Sequence, residues 1–130
     1  MVDFRELIHR LPARVNADPV LLRLGRYCTT ELVLAADEVE CHLHVNNGRL
    51  GEVLDGPFRM RSWRFAIRAP QNTWQEFWKR QPAVGFNDIF AMTRFGHARI
   101  DGDIGPLLEH LRYFKEVLAL PREGRAEGAA

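Results

Sequence analysis

Residues 30–45 read Thr30-Glu31-Leu32-Val33-Leu34-Ala35-Ala36-Asp37-Glu38-Val39-Glu40-Cys41-His42-Leu43-His44-Val45, and their alternation decides the fold. Successive side chains along a strand point to opposite faces, so a period of two sorts these residues at once. Thr30, Leu32 and Leu34 share one side, and so do Val39, Cys41, Leu43 and Val45 after the turn at Asp37-Glu38. A two-residue turn sets Leu34 opposite Cys41 and Leu32 opposite Leu43, which gives the hairpin one uniformly apolar face. The other face then carries Glu31 opposite His44 and Val33 opposite His42, with Glu52 beside His42 in the next strand.

Upstream of the hairpin the period is helical. Phe4, Leu7, Ile8 and Leu11 recur at helical spacing behind a capping Asp3, and Pro12 is expected to stop that helix. Asp18-Pro19 pairs an N-cap with a proline at the first helical position, opening a short helix that ends at Gly25. Downstream, Asn46-Asn47-Gly48 suits a three-residue loop with Gly48 in the left-handed region, and a third strand follows from Arg49 to Leu54. Asp55-Gly56-Pro57 breaks the pattern and carries the chain across the sheet.

A fourth strand is expected from about Met60 to Ala69, with Trp63, Phe65 and Ile67 on one face and Arg64 and Arg68 on the other. After Pro70, Asn72 or Thr73 can cap a helix containing Trp74, Phe77 and Trp78, and Asp88 can cap one through Ile89, Phe90, Met92 and Phe95. Ala98 and Ile100 suggest a short fifth strand ending at Asp101-Gly102-Asp103. Pro106 opens a last helix whose apolar stripe is Leu107, Leu108, Leu111, Phe114 and Leu118. The pattern implies one domain over residues 1–120 and a tail without apolar period, read as disordered, over 121–130.

Composition limits the function. The chain has 130 residues, enough for one buried core, with 46% hydrophobic and 27% charged residues. Eighteen basic against seventeen acidic residues leave a net charge of +1, so no global field draws the protein to nucleic acid. No apolar run reaches the ~20 residues that span a bilayer. The sequence opens without a signal peptide, so Cys28 and Cys41 read as reduced, buried thiols and the expected compartment is the cytoplasm.

The chemistry-bearing residues are few. His42, His44, Glu31 and Glu52 offer a metal-type inventory, but solvated strand faces generate His-x-His freely. Arg64 and Arg68 share that face, and the expected arrangement is a cross-strand ion-pair network with no metal and no cofactor. No serine or cysteine is placed as a nucleophile and no catalytic residue is assigned, although His97 or His110 beside a carboxylate could act as a lone base. Asp103 reads as a helix cap. The density of aromatics is more informative. Trp74, Phe77, Trp78, Phe86, Phe90 and Phe95 occupy a segment broken by Pro82, Gly85 and Gly96. Such a segment either lines a ligand pocket or docks a partner, a second copy or an accessory protein.

Three stretches resemble the SCP2-like (sterol carrier protein 2) lipid-binding domain family. They are Val45-Asn46-Asn47-Gly48-Arg49, Trp74-Gln75-Glu76-Phe77-Trp78, and Gly96-His97-Ala98-Arg99-Ile100-Asp101-Gly102-Asp103 followed by the Leu107-Leu108-Leu111 helix. The likeness spans residues 3 to 119 and rests on the order and spacing of these stretches. It implies an α+β fold, a five-stranded mixed, mostly antiparallel sheet with helices packed on one face. It also implies non-enzymatic binding of a sterol, fatty acid or acyl-CoA-like lipid in a hydrophobic tunnel between sheet and helices. The implied lining is Trp63, Phe65, Trp74, Phe77, Trp78, Phe90, Phe95, Leu107, Leu111 and Phe114. Separately from the resemblance, Arg59, Arg61 or Arg99 could anchor a carboxylate or phosphate head at the mouth.

Overall fold

The computed structural model describes residues 3–56 and 62–122. The hairpin that decides the fold forms in the expected register. Strands β1 (Thr29–Ala36) and β2 (Val39–Asn46) are antiparallel, with Leu34 opposite Cys41, Leu32 opposite Leu43 and Glu31 opposite His44. Four further strands belong to the sheet among the described residues: β3 (Arg49–Leu50), β4 (Leu54–Asp55), β5 (Phe65–Ala69) and β6 (Arg99–Gly102). Their order is β3-β2-β1-β5-β6, and β4 pairs with β2 nearer the first hairpin turn. Among the described strands only β1 and β5 run parallel and every other pair is antiparallel, so the sheet is mixed and mostly antiparallel.

Two expectations change along this sheet. The loop after β2 has two residues, because Asn46 pairs directly with Arg49. Asn47 and Gly48 both take positive φ, 51° and 84°, as the tightest hairpin turns require. The third strand is split. Leu50 and Val53 are both buried, and an unbroken strand would place residues three apart on opposite faces, so residues 51–53 leave the ladder. The fourth strand begins only at Phe65, since Ser62, Trp63 and Arg64 lie outside the ladder; Pro57, Arg59, Met60 and Arg61 lie outside the described residues.

Among the described residues seven short helices pack over the inner face: α1 (Phe4–His9), α2 (Leu11–Asn16), α3 (Pro19–Leu24), α4 (Gln71–Phe77), α5 (Ile89–Arg94), α6 (Gly105–Glu109) and α7 (Leu111–Ala119). Asp3, Asp18 and Asp88 cap α1, α3 and α5 as their sequence positions suggest. Pro12 does more than stop α1. It stands in the first turn of α2, where a missing N–H breaks no helical bond. Asn16, at the end of α2, then serves β3 as a substitute strand. Its amide donates to the Leu50 carbonyl at 2.9 Å, and its carbonyl accepts from the Leu50 N–H at 3.0 Å. The terminal helix is broken at His110 (φ −116°, ψ 41°), which turns Leu108 to solvent while Leu107 stays buried.

Neither Asn72 nor Thr73 caps α4. The cap comes from the hairpin turn, where the Asp37 carboxylate accepts from the Gln71 N–H at 3.1 Å and the Asp37 N–H donates to the Ala69 carbonyl. Asp37 itself has φ 53°, a conformation that aspartate tolerates better than most side chains. We expect Asp37→Ala to keep the backbone bond to Ala69 but to lose the carboxylate cap and to tolerate the positive φ less well, at a cost of about 1–2 kcal/mol in urea unfolding, whereas Asp37→Asn should keep most of the stability.

Candidate ligand-binding site

Apart from the buried Thr30, the described inner face of the sheet is apolar. Leu32, Leu34, Cys41, Leu43, Val45, Phe65 and Ile67 all belong to one buried cluster that also takes in residues from each of α1 to α7. Aromatic rings dominate its centre. Phe4 of α1 lies 5.5 Å from Trp74 and 5.8 Å from Trp78, and Trp74 contacts Trp78 at 5.2 Å and Phe77 at 6.0 Å, centroid to centroid. On the other side Phe65 meets Phe114 edge to face at 5.5 Å, and Phe114 meets Tyr113 at 5.2 Å. Such tilted and edge-on pairs are the arrangements that ring quadrupoles favour.

Both tryptophans satisfy their polar atom. The Trp74 indole N–H donates to the Ala35 carbonyl at 2.8 Å, and that of Trp78 donates to the Leu118 carbonyl at 2.8 Å. Buried indoles need such partners, so each ring is both core and a tie between layers. Arg122 closes the same region from outside, its guanidinium 4.9 Å above the Phe77 ring and its Nε donating to the Phe77 carbonyl.

The residues that the resemblance nominates fall into three groups. Phe65, Trp74, Phe77, Trp78, Leu107 and Phe114 are buried in the shared cluster. Phe90 and Leu111 are half-buried, and Phe95 is 57% exposed, so the layer reaches solvent beside α5. Phe95 lies over Gly85, where a Cβ would stand 3.2 Å from the ring. Trp63 belongs elsewhere. A bend at Arg64 takes it out of the strand alternation, and its ring lies 5.9 Å from the guanidinium of Arg68, a residue of the outer face.

The outer face is the ion-pair surface that the sequence suggests, with different acids. Arg68 reaches Glu40 at 2.6 Å across β1, and the small Ala35 lies between them in the sheet. It also contacts Asp101 at 3.1 Å, while Arg64 pairs with Asp103 at 2.6 Å. Asp103 also accepts from the Gly105 N–H at the start of α6, the capping role expected of it. His42 is not on a wet surface: it is 1% exposed, and its Nε2–H donates to the Ser62 carbonyl at 3.3 Å with Glu31 3.5 Å away.

Among the described residues the donor atoms that converge are instead those of His9, Cys41 and Asp55, which sequence reading misses because they stand on α1, β2 and β4. The two histidines considered as bases sit at polar clefts. His97 stacks on Phe86 at 4.3 Å beside a cleft of about 330 Å³ that also touches Arg68 and Arg99, and His110 borders one of about 270 Å³ with Arg64 and Asp103. No carboxylate hydrogen-bonds to either ring among the described residues.

Cys28 and Cys41 are free and buried. Burial pushes both thiols from 9.0 to about 12, helped by Glu109 at Cys28 and Asp55 at Cys41. In the unfolded chain they ionise near the ordinary value, so the stability tied to keeping them neutral is full below pH 9 and is lost as pH rises towards 12. We therefore expect the urea midpoint to fall progressively above about pH 9, and less steeply in Cys28→Ala, as measured across an alkaline pH series.

No protein-family model and no curated protein matches the chain. Solved structures do. A crystal structure of sterol carrier protein 2 superposes with a TM-score of 0.70 at 18% identity, covering 91% of this chain and 95% of that one. A conserved hypothetical protein from Thermus thermophilus, put forward as a possible sterol carrier protein, gives 0.67 at 14% identity, with 98% and 94% covered. The palmitated SCP2L2 of Aedes aegypti gives 0.53 at 18% identity, with 90% and 95% covered. A mixed sheet with helices on its inner face defines an α+β domain of layered type. These superpositions show that it has the SCP2-like fold. No described helix is long and apolar enough to cross a membrane.

Proposed function

We propose that the protein binds a lipid-like molecule, a sterol, fatty acid or acyl-CoA, between its helices and the inner face of the sheet, without transforming it. One observation carries this reading: the buried cluster that holds Phe65 and Trp74 is flanked at α5 by the half-buried Phe90, and Phe95 at the end of that helix is exposed. A guest that enters beside α5 covers the exposed Phe95 ring and extends the apolar surface that Phe90 begins. The guest displaces the Phe90–Phe95 rim and lies against Phe65, Phe77, Leu107, Leu111 and Phe114, with affinity from buried apolar area at about 25 cal/mol per Å². Arg99 lines the polar cleft that begins one residue beyond Phe95, and it suits a carboxylate or phosphate head. The two buried free thiols fit a reducing compartment, and we place the protein in the cytoplasm.

Native mass spectrometry of the purified protein, followed by titration with a fatty-acyl and sterol panel, tests the reading. Co-purified lipid or saturable binding supports it, and Phe95→Asp should then weaken binding by at least about tenfold with little change in stability. Absence of both co-purified lipid and saturable binding refutes it. A second reading draws on the same exposed groups, Phe95 and the 92%-exposed Val84, as a contact for another copy or an accessory protein. A lipid-free dimer that Phe95→Asp dissociates would favour that reading.

A further inference from the structure

The geometry points to a zinc-class metal site formed by His9, Cys41 and Asp55, at the junction of α1 with β2 and β4. The His9 Nε2 stands 2.7 Å from the Asp55 Oδ1, the Cys41 Sγ lies 3.8 Å from the same oxygen, and all three donor atoms lie within 4.8 Å of one another. Ligands around a tetrahedral ion at ~2.0–2.3 Å are separated by rather less than twice that distance, so the trio needs only small side-chain shifts to close on one ion. Imidazole, thiolate and carboxylate together form a mixed borderline-soft set, which suits zinc or cobalt better than magnesium or calcium.

The fold holds these donors at unequal depth. Cys41 is fully buried at the floor, while His9 and Asp55 are about 40% exposed at the rim, leaving a fourth position for water. Arg5, whose Nε lies 3.5 Å from the Asp55 Oδ1, neutralises that carboxylate in the apo protein. An entering divalent ion takes over this role and turns Arg5 outward. The Cys41 thiol gives up its proton to solvent as the sulfur–metal bond forms, and one thiolate plus one carboxylate then balance the dication. Binding ties the C-terminal end of α1 to the sheet. The same helix presses Phe4 onto Trp74 and Trp78, so the ion clamps the cover of the aromatic layer.

Metal-stripped protein is titrated with Co²⁺ and, separately, with Zn²⁺ followed by dialysis and elemental analysis. We expect a near-ultraviolet thiolate-to-cobalt band that saturates at one equivalent, one retained zinc, and a rise in unfolding temperature with bound metal. Cys41→Ser should abolish the band, His9→Gln, a change at an exposed position, should weaken binding more than ~10-fold, and Cys28→Ser should leave both intact. Absence of the cobalt–thiolate band in the wild-type protein, or a band that survives Cys41→Ser, overturns the proposal. So does an affinity that His9→Gln leaves unchanged in a protein with native circular dichroism.

Discussion

Trp74→Ala is expected to remove about 3–5 kcal/mol of stability, a large part of the total for a domain of this size. Trp74 is fully buried, and its ring touches Phe4, Phe77 and Trp78, so truncation empties space that α1 and α4 share. The deletion also takes the hydrogen bond from the Ala35 carbonyl, which ends up buried with one partner fewer. Trp74→Phe separates the two effects. It keeps most of the ring, loses the N–H, and should cost about 1–3 kcal/mol. Urea unfolding followed by far-ultraviolet circular dichroism reads both, and an alanine variant within about 1 kcal/mol of wild type would contradict the packing described.

Gly48→Ala carries the second large effect, about 2–5 kcal/mol, from two causes that add. The residue has φ 84°, a region where a side chain strains the backbone by about 1–3 kcal/mol. A Cβ there would also stand 2.8 Å from the carbonyl carbon and oxygen of Gly25, and backbone at the end of α3 cannot swing aside as a flexible side chain can. The two glycines meet under Tyr113, whose hydroxyl donates to the Gly48 carbonyl at 2.6 Å. Gly51→Ala is the matched control. Its nearest neighbour would be 3.9 Å away and its φ is not positive, so it should be neutral or slightly stabilising. If Gly48→Ala and Gly51→Ala unfold at the same urea concentration, the close approach is not what makes position 48 a glycine.

What could be read from the sequence was what depends on near neighbours. The β1–β2 register follows from alternation and a two-residue turn, and the Asp3, Asp18 and Asp88 caps act over two or three residues. What could not be read was set by residues far apart in the chain. Asp37 caps a helix 34 residues away, and Asn16 pairs with Leu50 at the same separation. His42 looks solvated from its alternation, yet the segment at Ser62, twenty residues on, buries it. The aromatic group was legible as a group because composition alone shows it. Its division into packed core and open rim was not, since Trp78 answers to Leu118 and Phe95 to the breadth of a six-residue helix. Trp63 was assigned to the wrong face because alternation extrapolates a strand past the bend at Arg64.

The single parallel pairing has a kinetic consequence. The β1–β2 hairpin joins neighbours and can form within microseconds, but β1 reaches β5 only after roughly thirty intervening residues have been enclosed. The β5–β6 side of the sheet therefore waits on a slow, non-local closure, and β6 cannot dock before β5 provides its edge. In pulsed hydrogen exchange during refolding, amides of Leu32, Leu34 and Leu43 should gain protection ahead of those of Ile67 and Ile100. Until that second event, the side of β1 meant for β5 is an open edge able to recruit another chain. The concentration at which refolding is carried out, more than final stability, then governs how much protein is recovered.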